Sequence, residues 1–177
     1  MPPPVTPVFA VVDSQNLYHT CRSAFGPEAK VDYKLLKEAV ISNIAPSSSR
    51  LLVEMIAYTV ATPRRRGNDT FLSMLKSLGY LTKTQFVEYA PNSTKNLIRT
   101  EWTVGITIDT MKRVLAEEPP HRFVLVSGSG VFEPLVRELA VMGIPTDVFA
   151  FRGGLSRDLS ECAVRVFPLD KKILFSV

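Results

Sequence analysis

Cysteine and histidine are scarce in this chain of 177 residues, which contains two of each. Cys21 and Cys162 are too few for a disulfide framework, and His19 and His121 have no acidic or thiol partner at the spacing of a metal site. The sequence therefore excludes a disulfide scaffold and a thiolate zinc centre. A reducing compartment is expected, and we predict a cytoplasmic protein.

Long apolar runs are also missing. No stretch approaches the roughly 18 uninterrupted apolar residues that a membrane-spanning helix needs. The N-terminus has no basic region ahead of an apolar stretch, so neither membrane insertion nor secretion is expected. Nor is there a disordered or collagen-like composition: hydrophobic residues make up 46% of the chain, and the 9 Gly and 13 Pro are dispersed.

The charge is mildly basic, with a formal net charge of +4 and a pI near 9.2. Such a bias assists binding to a polyanion without requiring it.

Apolar runs that alternate with helical patterns predict the fold. Strands are predicted at 8–12, 51–60, 123–126 and 146–151, with a more polar outer strand at 80–89 and a last short strand at 164–167. Helices are predicted at 32–44, 70–78, 101–117, 132–142 and 156–163, the third of them from the spacing of Val104, Ile108, Met111 and Leu115. Because parallel strands need crossover connections, this alternation predicts a three-layer α/β domain with a mainly parallel sheet of about five strands flanked by helices. The apolar tail at 173–177 predicts an extra edge strand or a contact with another chain.

Polar loops follow the two most apolar predicted strands, with the sequences Asp13-Ser14-Gln15-Asn16 and Ser127-Gly128-Ser129-Gly130. The carboxyl ends of parallel strands meet at one edge of the sheet, where ligands bind. Asp13 is open to two interpretations: a carboxylate that coordinates a cation or orients a water, or the cap of the next helix. Asn16 has the same ambiguity.

Three further features are candidate contacts with nucleic acid, each with a structural alternative. The turn that contains Ser127 and Ser129 offers N–H groups and hydroxyls to a phosphate, but it matches no nucleotide-binding motif and is equally explained as a tight turn. Arg64, Arg65 and Arg66 could pair with phosphates or form a solvated basic loop. Trp102 could stack on a base or join the core with Ile106.

Several segments together resemble an NYN domain, in the LabA-like branch of the PIN-like nucleases. They are VVDSQNLYHT, WTVGITIDTMKRV, FVLVSGSGVFEPLVREL, GIPTDVFAF and, more faintly, SRDLSECAVRVFPL. The resemblance implies a single domain over 1–177 with a PIN-like Rossmannoid core at about 8–169 and a C-terminal extension at 170–177. It also implies, in active members, hydrolysis of RNA by Mg²⁺ or Mn²⁺ held in a cluster of acidic residues.

Carried over by position, Asp13 matches the first acid of that cluster and Asn16 the polar residue after it. The positions of the other acids are occupied by Thr103, Ser129, Val131 and Val164. The resemblance therefore implies an impaired nuclease that acts by binding RNA or a protein partner or by self-association. The alternatives are an active Mg²⁺- or Mn²⁺-dependent RNase whose site is rebuilt from Asp13 with Glu101 or Glu133, and a nucleotide-binding module that uses Asp13 and the Ser127–Gly130 turn.

Overall fold

Six parallel strands form the central sheet of the computed structural model, which describes residues 5–44, 50–61, 67–86 and 102–175. The strand order is β3-β2-β1-β4-β5-β6, and every neighbouring pair is parallel. The strands are β1 (Val5–Asp13), β2 (Arg50–Ala61), β3 (Leu81–Phe86), β4 (Arg122–Val126), β5 (Thr146–Phe151) and β6 (Arg165–Leu169). The predicted parallel α/β fold is confirmed, with the short last strand as the sixth.

Helices cover both faces of the sheet. They are α1 (Ser14–Phe25), α2 (Tyr33–Ile44), α3 (Gly67–Ser77), α4 (Thr103–Val114), α5 (Glu133–Val141) and α6 (Arg157–Cys162). One core lies between the sheet and α1 to α3, and a second lies between the sheet and α4 to α6. No helix in the described part of the chain is long and apolar enough to cross a membrane.

The central strand β1 supplies both cores. Its residues Val8 to Val12 are at most 3% exposed, and alternate residues belong to opposite cores: Ala10 and Val12 to the first, Phe9 and Val11 to the second. A strand that is buried on both faces must be apolar throughout, which is the pattern that predicted its central position. The polar β3 lies at the sheet edge, also as predicted.

Helix α4 is shorter than the predicted segment and packs on the sheet through Ile106, Thr110 and Val114. The apolar spacing that predicted this helix lies mostly on its outward side, where Val104 and Ile108 are exposed. Trp102, just before α4, packs against the second core, and its Nε1–H donates to the carbonyl of Thr59 over 2.8 Å. These contacts favour the core interpretation of Trp102 over base stacking.

The described part of the C-terminal tail, through residue 175, adds no strand to the sheet. Ile173 is buried in the first core, and Leu174 forms an isolated antiparallel bridge with Val31. The backbone N–H of Asp32 donates to the carbonyl of Ile173 over 2.8 Å. The predicted edge strand is therefore wrong for these residues, which dock against the segment that leads into α2.

A buried carboxylate links three strands at the amino-terminal edge of the sheet. Asp147 is fully buried in β5 and accepts hydrogen bonds from Arg122 of β4 at 2.9 Å and from Arg165 of β6 at 2.6 and 2.9 Å. A buried charge is tolerated only when it is paired in this way. This edge is opposite the one that carries the candidate site.

Candidate functional site

Strand order reverses between β1 and β4, because the chain continues from β1 towards β2 on one side and from β4 towards β5 on the other. In open parallel sheets, ligands bind at the carboxyl ends of the strands at such a reversal. Val12 is paired with Val126 in the register, so Asp13 and Ser127, which come next in each chain segment, are neighbours. The two polar loops predicted to share an edge do lie together.

Asp13 is held by hydrogen bonds to both carboxylate oxygens. Its Oδ1 accepts the backbone N–H of Asn16 at 3.1 Å, which caps α1, and its Oδ2 accepts the hydroxyl of Ser127 at 3.1 Å. Burial raises the pKa of the Asp13 carboxyl, and the hydrogen bonds from Asn16 and Ser127 and the nearby His19 only partly oppose that effect. The geometry therefore supports the interpretation of Asp13 as the cap of α1.

Asn16 ties α1 to the turn after β4. Its side-chain Oδ1 accepts the backbone N–H of Gly128 at 3.0 Å, and the next N–H, of Ser129, donates to the hydroxyl of Ser127 at 3.3 Å. These two N–H groups were candidates to cradle a phosphate, and both already have acceptors within the protein. For these two N–H groups, the interpretation as a tight turn fits better than the interpretation as a phosphate-binding site.

Gly128 is required by a close approach of backbone. A Cβ atom at this position would lie 2.1 Å from the carbonyl oxygen of Gly154, in the loop after β5. The carbonyl of Gly128 also accepts the N–H of Ser156 over 2.8 Å. The glycine in this turn therefore has a packing function: it lets the loops after β4 and β5 touch.

The described residues do not fit a centre that holds two metal cations. Asp13 is the only carboxylate in the hydrogen-bond network around the two loops, and no group of three or more His, Cys, Asp or Glu side chains among the described residues is placed to hold a metal ion. Glu133, proposed as a replacement acid, forms a salt bridge with Arg137 one turn later in α5. Glu101, the other replacement, lies outside the described residues.

Of the positions where the resemblance implies acids, Thr103 begins α4, Ser129 is half-buried in the turn, and Val131 is exposed beside it. Asp109, the one acidic residue of α4, has its partners on β2 and β3 instead. It accepts the Tyr58 hydroxyl and the Lys83 ammonium, each at 2.6 Å, and these bonds outweigh partial burial and lower its pKa.

An exposed group on α1, shortly after Asn16, was not among the predicted site residues. Tyr18 is half exposed, and its ring meets the exposed His19 edge-on at 5.2 Å. The guanidinium of Arg22 lies 4.9 Å from the centre of the Tyr18 ring and donates to its hydroxyl. We call Tyr18, His19 and Arg22 the α1 platform. The sequence signal that could have revealed the α1 platform is a tyrosine and an arginine four residues apart in a polar helical stretch, because that spacing places them on the same face of the helix.

Arg64, Arg65 and Arg66 lie outside the described residues, in the connection between β2 and α3. Their contact with phosphates stays a prediction.

A family model for the NYN domain matches residues 8–170, a range that contains the whole sheet core and the Asp13 network. The chain belongs to the NYN domain family. Membership indicates a nuclease-like, RNA-related function for this NYN domain. No curated protein matches its sequence.

A solved structure supports the fold of the NYN domain. A protein of unknown function from Vibrio parahaemolyticus is similar over 96% of both chains, with a TM-score of 0.75 and 24% sequence identity. Acinetobacter baumannii MurG is more remote: its TM-score is 0.45, with 14% identity over 92% of this chain and 42% of that one.

Proposed function

We propose that this NYN domain binds RNA at the carboxyl edge of its sheet and does not cleave it through a metal centre. The main evidence against a metal centre is Asp13. Both of its carboxylate oxygens accept hydrogen bonds from the domain itself, and burial raises its pKa. Two-cation hydrolysis of a phosphodiester needs several ionised carboxylates around the metal ions. A single carboxylate that caps a helix is a poor basis for such a centre.

The residues around Asp13 also indicate a structural role for this network. Ser127 and Asn16, its partners, also bond within the network: the Ser127 hydroxyl accepts the N–H of Ser129, and the Asn16 amide accepts that of Gly128. The network thus works as a structural link between the loops after β1 and β4. We infer that the domain is a degenerate member of the LabA-like branch that its sequence resembles.

The α1 platform is the proposed contact surface for RNA. Bases of single-stranded RNA stack on exposed aromatic rings and on guanidinium groups with little dependence on sequence. Tyr18, His19 and Arg22 supply those groups in the helix that begins at the site, and His19 is close enough to Asp13 to influence its pKa. The net charge of +4 favours a polyanion, and Arg64 to Arg66 are proposed to add phosphate contacts.

Cleavage is tested by single-turnover incubation of end-labelled RNA with Mg²⁺ or Mn²⁺, against an EDTA control. We expect no metal-dependent cleavage. Because Asp13→Asn keeps the helix cap, it separates loss of chemistry from loss of folding. Metal-dependent cleavage that disappears in Asp13→Asn would overturn the proposal and favour the active RNase with a rebuilt acidic site.

Binding is tested by fluorescence anisotropy with a labelled single-stranded RNA. We expect Tyr18→Ala to weaken binding by about tenfold or more, in line with the loss of one stacked base. Arg22→Ala should weaken it as well and flatten the dependence of affinity on salt. Lys76→Ala is the matched control, since it removes one exposed positive charge from the end of α3, at the opposite edge of the sheet.

Equal affinities for the wild-type protein, Tyr18→Ala and Lys76→Ala would remove the α1 platform from the proposal. No RNA binding by the wild-type protein would overturn the RNA proposal altogether and favour a protein partner.

A further inference from the structure

The segments that follow β1, β4 and β5 contain no carboxylate. The residues of α1 (Ser14–Phe25), of the turn at 127–132 and of the loop at 152–156 include none of the 17 Asp and Glu residues of the chain. Two arginines lie in them, Arg22 and Arg152. Because the carboxyl ends of these neighbouring parallel strands share one edge of the sheet, this part of the edge has an excess of positive charge.

The same two arginines differ from the other arginines of the domain. Five of the described arginine side chains form an ion pair with a carboxylate: Arg113, Arg122, Arg137, Arg157 and Arg165. Arg22 and Arg152 have no such pair with any residue that the structure describes. Arg22 belongs to the α1 platform, and Arg152 is exposed at the start of the loop after β5. An exposed guanidinium without a carboxylate partner is available to a phosphate.

Helix α1 lies between Tyr18 and the loop after β5. The side chain of Thr20 touches that loop, since a Cβ atom at Gly154 would lie 2.2 Å from its Cγ2. Tyr18 and Thr20 are two positions apart, which is about 200° around a helix, so Tyr18 and the loop flank α1 on opposite sides. His19 falls midway between the two flanks and is exposed. The outward side of α1 therefore joins the α1 platform to the loop that carries Arg152.

The width of α1 suits a nucleic acid strand that crosses it. A helix with its side chains is about 10–12 Å across, a width that a few nucleotides of an extended single strand span. A strand with one base stacked on Tyr18 reaches Arg152 by passing over His19. Since α1 has no Asp or Glu, no carboxylate of the helix repels the phosphates on this path.

The segment after β6 continues the positive charge beyond Arg152. Phe151 is paired with Leu169 in the register, so Arg152 and Asp170 come next on the two strands. The Oδ1 of Asp170 accepts the backbone N–H of Lys172 at 2.8 Å, and among the described residues its carboxylate forms no ion pair with Arg152. The side chains of 171 and 172, both lysines, are exposed and outnumber this single acid.

We propose that single-stranded RNA crosses α1 from the α1 platform to the loop after β5, where Arg152 binds a backbone phosphate. The inference rests on the proposed function, because it extends the RNA surface that begins at Tyr18. It adds Arg152 as a binding residue and places the strand across α1. A phosphate contact fixes the position of the strand and carries no base specificity.

The first test is fluorescence anisotropy with a labelled oligouridine at several salt concentrations. Loss of one phosphate contact from a single strand lowers the slope of log K against log salt by about 0.7, which is roughly fivefold weaker binding at 0.1 M salt. We expect these changes in Arg152→Ala, whereas Arg152→Lys keeps the charge and should keep the slope. Arg137→Ala is the matched control, because it removes an exposed arginine of α5 that is paired with Glu133, and it should leave the Kd and the slope unchanged.

The path over α1 is tested at a position that belongs to neither flank. Ser23 is exposed one turn after His19, so Ser23→Glu places a carboxylate beside the path. It should weaken RNA binding at least as much as Arg152→Ala does, because a carboxylate repels the phosphates. Ser42→Glu puts the same charge on an exposed serine of α2 and should bind RNA as the wild-type protein does.

If Arg152→Ala has the Kd and salt slope of the wild-type protein while Tyr18→Ala still weakens binding, the inference is overturned and the proposed function stands. Equal losses in Arg152→Ala and Arg137→Ala would also overturn it, because they would report net charge alone. A Ser23→Glu variant that binds as tightly as Ser42→Glu would refute the path over α1. No RNA binding by the wild-type protein would overturn both proposals. Circular dichroism checks that each variant is folded, as expected for exposed positions.

Discussion

Two replacements of Asp13 separate its role as the cap of α1 from the effect of its buried charge on the stability of the domain. Asp13→Ala removes the cap of α1, which costs about 0.5–2 kcal/mol. It also takes the acceptor away from the buried hydroxyl of Ser127, which costs about 1–3 kcal/mol. We expect a total loss of about 2–4 kcal/mol in the free energy of unfolding, or roughly 5–15 °C in Tm for a domain of this size.

Asp13→Asn keeps the cap of α1, because asparagine caps helices as well as aspartate does and its amide oxygen can accept the N–H of Asn16. The amide nitrogen is a donor only, so the Ser127 hydroxyl loses the same acceptor as in Asp13→Ala. Since burial raises the pKa of the Asp13 carboxyl in the folded state, the ionised form is disfavoured there. A neutral amide avoids that penalty, so the stability of Asp13→Asn relative to the wild-type protein should be higher at neutral pH than at acid pH, where Asp13 is protonated.

The raised pKa of Asp13 also makes the stability of the domain depend on pH. An acid with a raised pKa in the folded state contributes stability that is complete below its unfolded-state pKa of about 3.8 and is lost as pH rises through the folded-state value. The stability of Asp13→Asn relative to the wild-type protein should therefore rise as pH rises through the folded-state pKa of Asp13.

Urea unfolding of the wild-type protein, Asp13→Asn and Asp13→Ala at several pH values measures all three effects. If the stability of Asp13→Asn relative to the wild-type protein falls as pH rises, the reasoning is refuted, since that result would mean that the ionised carboxylate stabilises the domain. That outcome would also reopen the case for a bound cation.

Three further substitutions test other contacts by chemical denaturation. Gly128→Ala should cost about 2 kcal/mol or more, because its Cβ would lie 2.1 Å from the Gly154 carbonyl oxygen. The control is Gly153→Ala, whose Cβ meets nothing within 4 Å and which should be close to neutral. Equal stabilities of the two variants would disprove the close approach. Asp147→Ala should cost about 1.5–3 kcal/mol, because Arg122 and Arg165, which keep part of their surface in water, lose a charged hydrogen-bond acceptor, and a loss below about 0.5 kcal/mol would contradict the network. Tyr58→Phe should cost about 1 kcal/mol and should also make the domain less sensitive to acid, because the pKa of Asp109 moves back towards its ordinary value. An unchanged response below about pH 4 would argue against that bond.

The candidate site could be predicted in part. The β-branched run of β1 and its polar end placed Asp13 at the carboxyl edge of a buried strand, and the same reasoning placed Ser127 there. Neither inference could say that Ser127 donates to Asp13, because these residues are 114 positions apart and their contact depends on the strand order and on the register of β1 with β4. The capping and metal interpretations of Asp13 were indistinguishable for the same reason.

The sequence by itself determined the alternation of strands and helices, and with it the parallel sheet, because periodicity and burial of apolar side chains are local properties of the chain. Only the tertiary structure decided which side of α4 faces the sheet and that both oxygens of Asp13 are used within the domain. A pattern of apolar residues says that a surface favours burial. What buries it depends on neighbours that distant segments of the chain bring together.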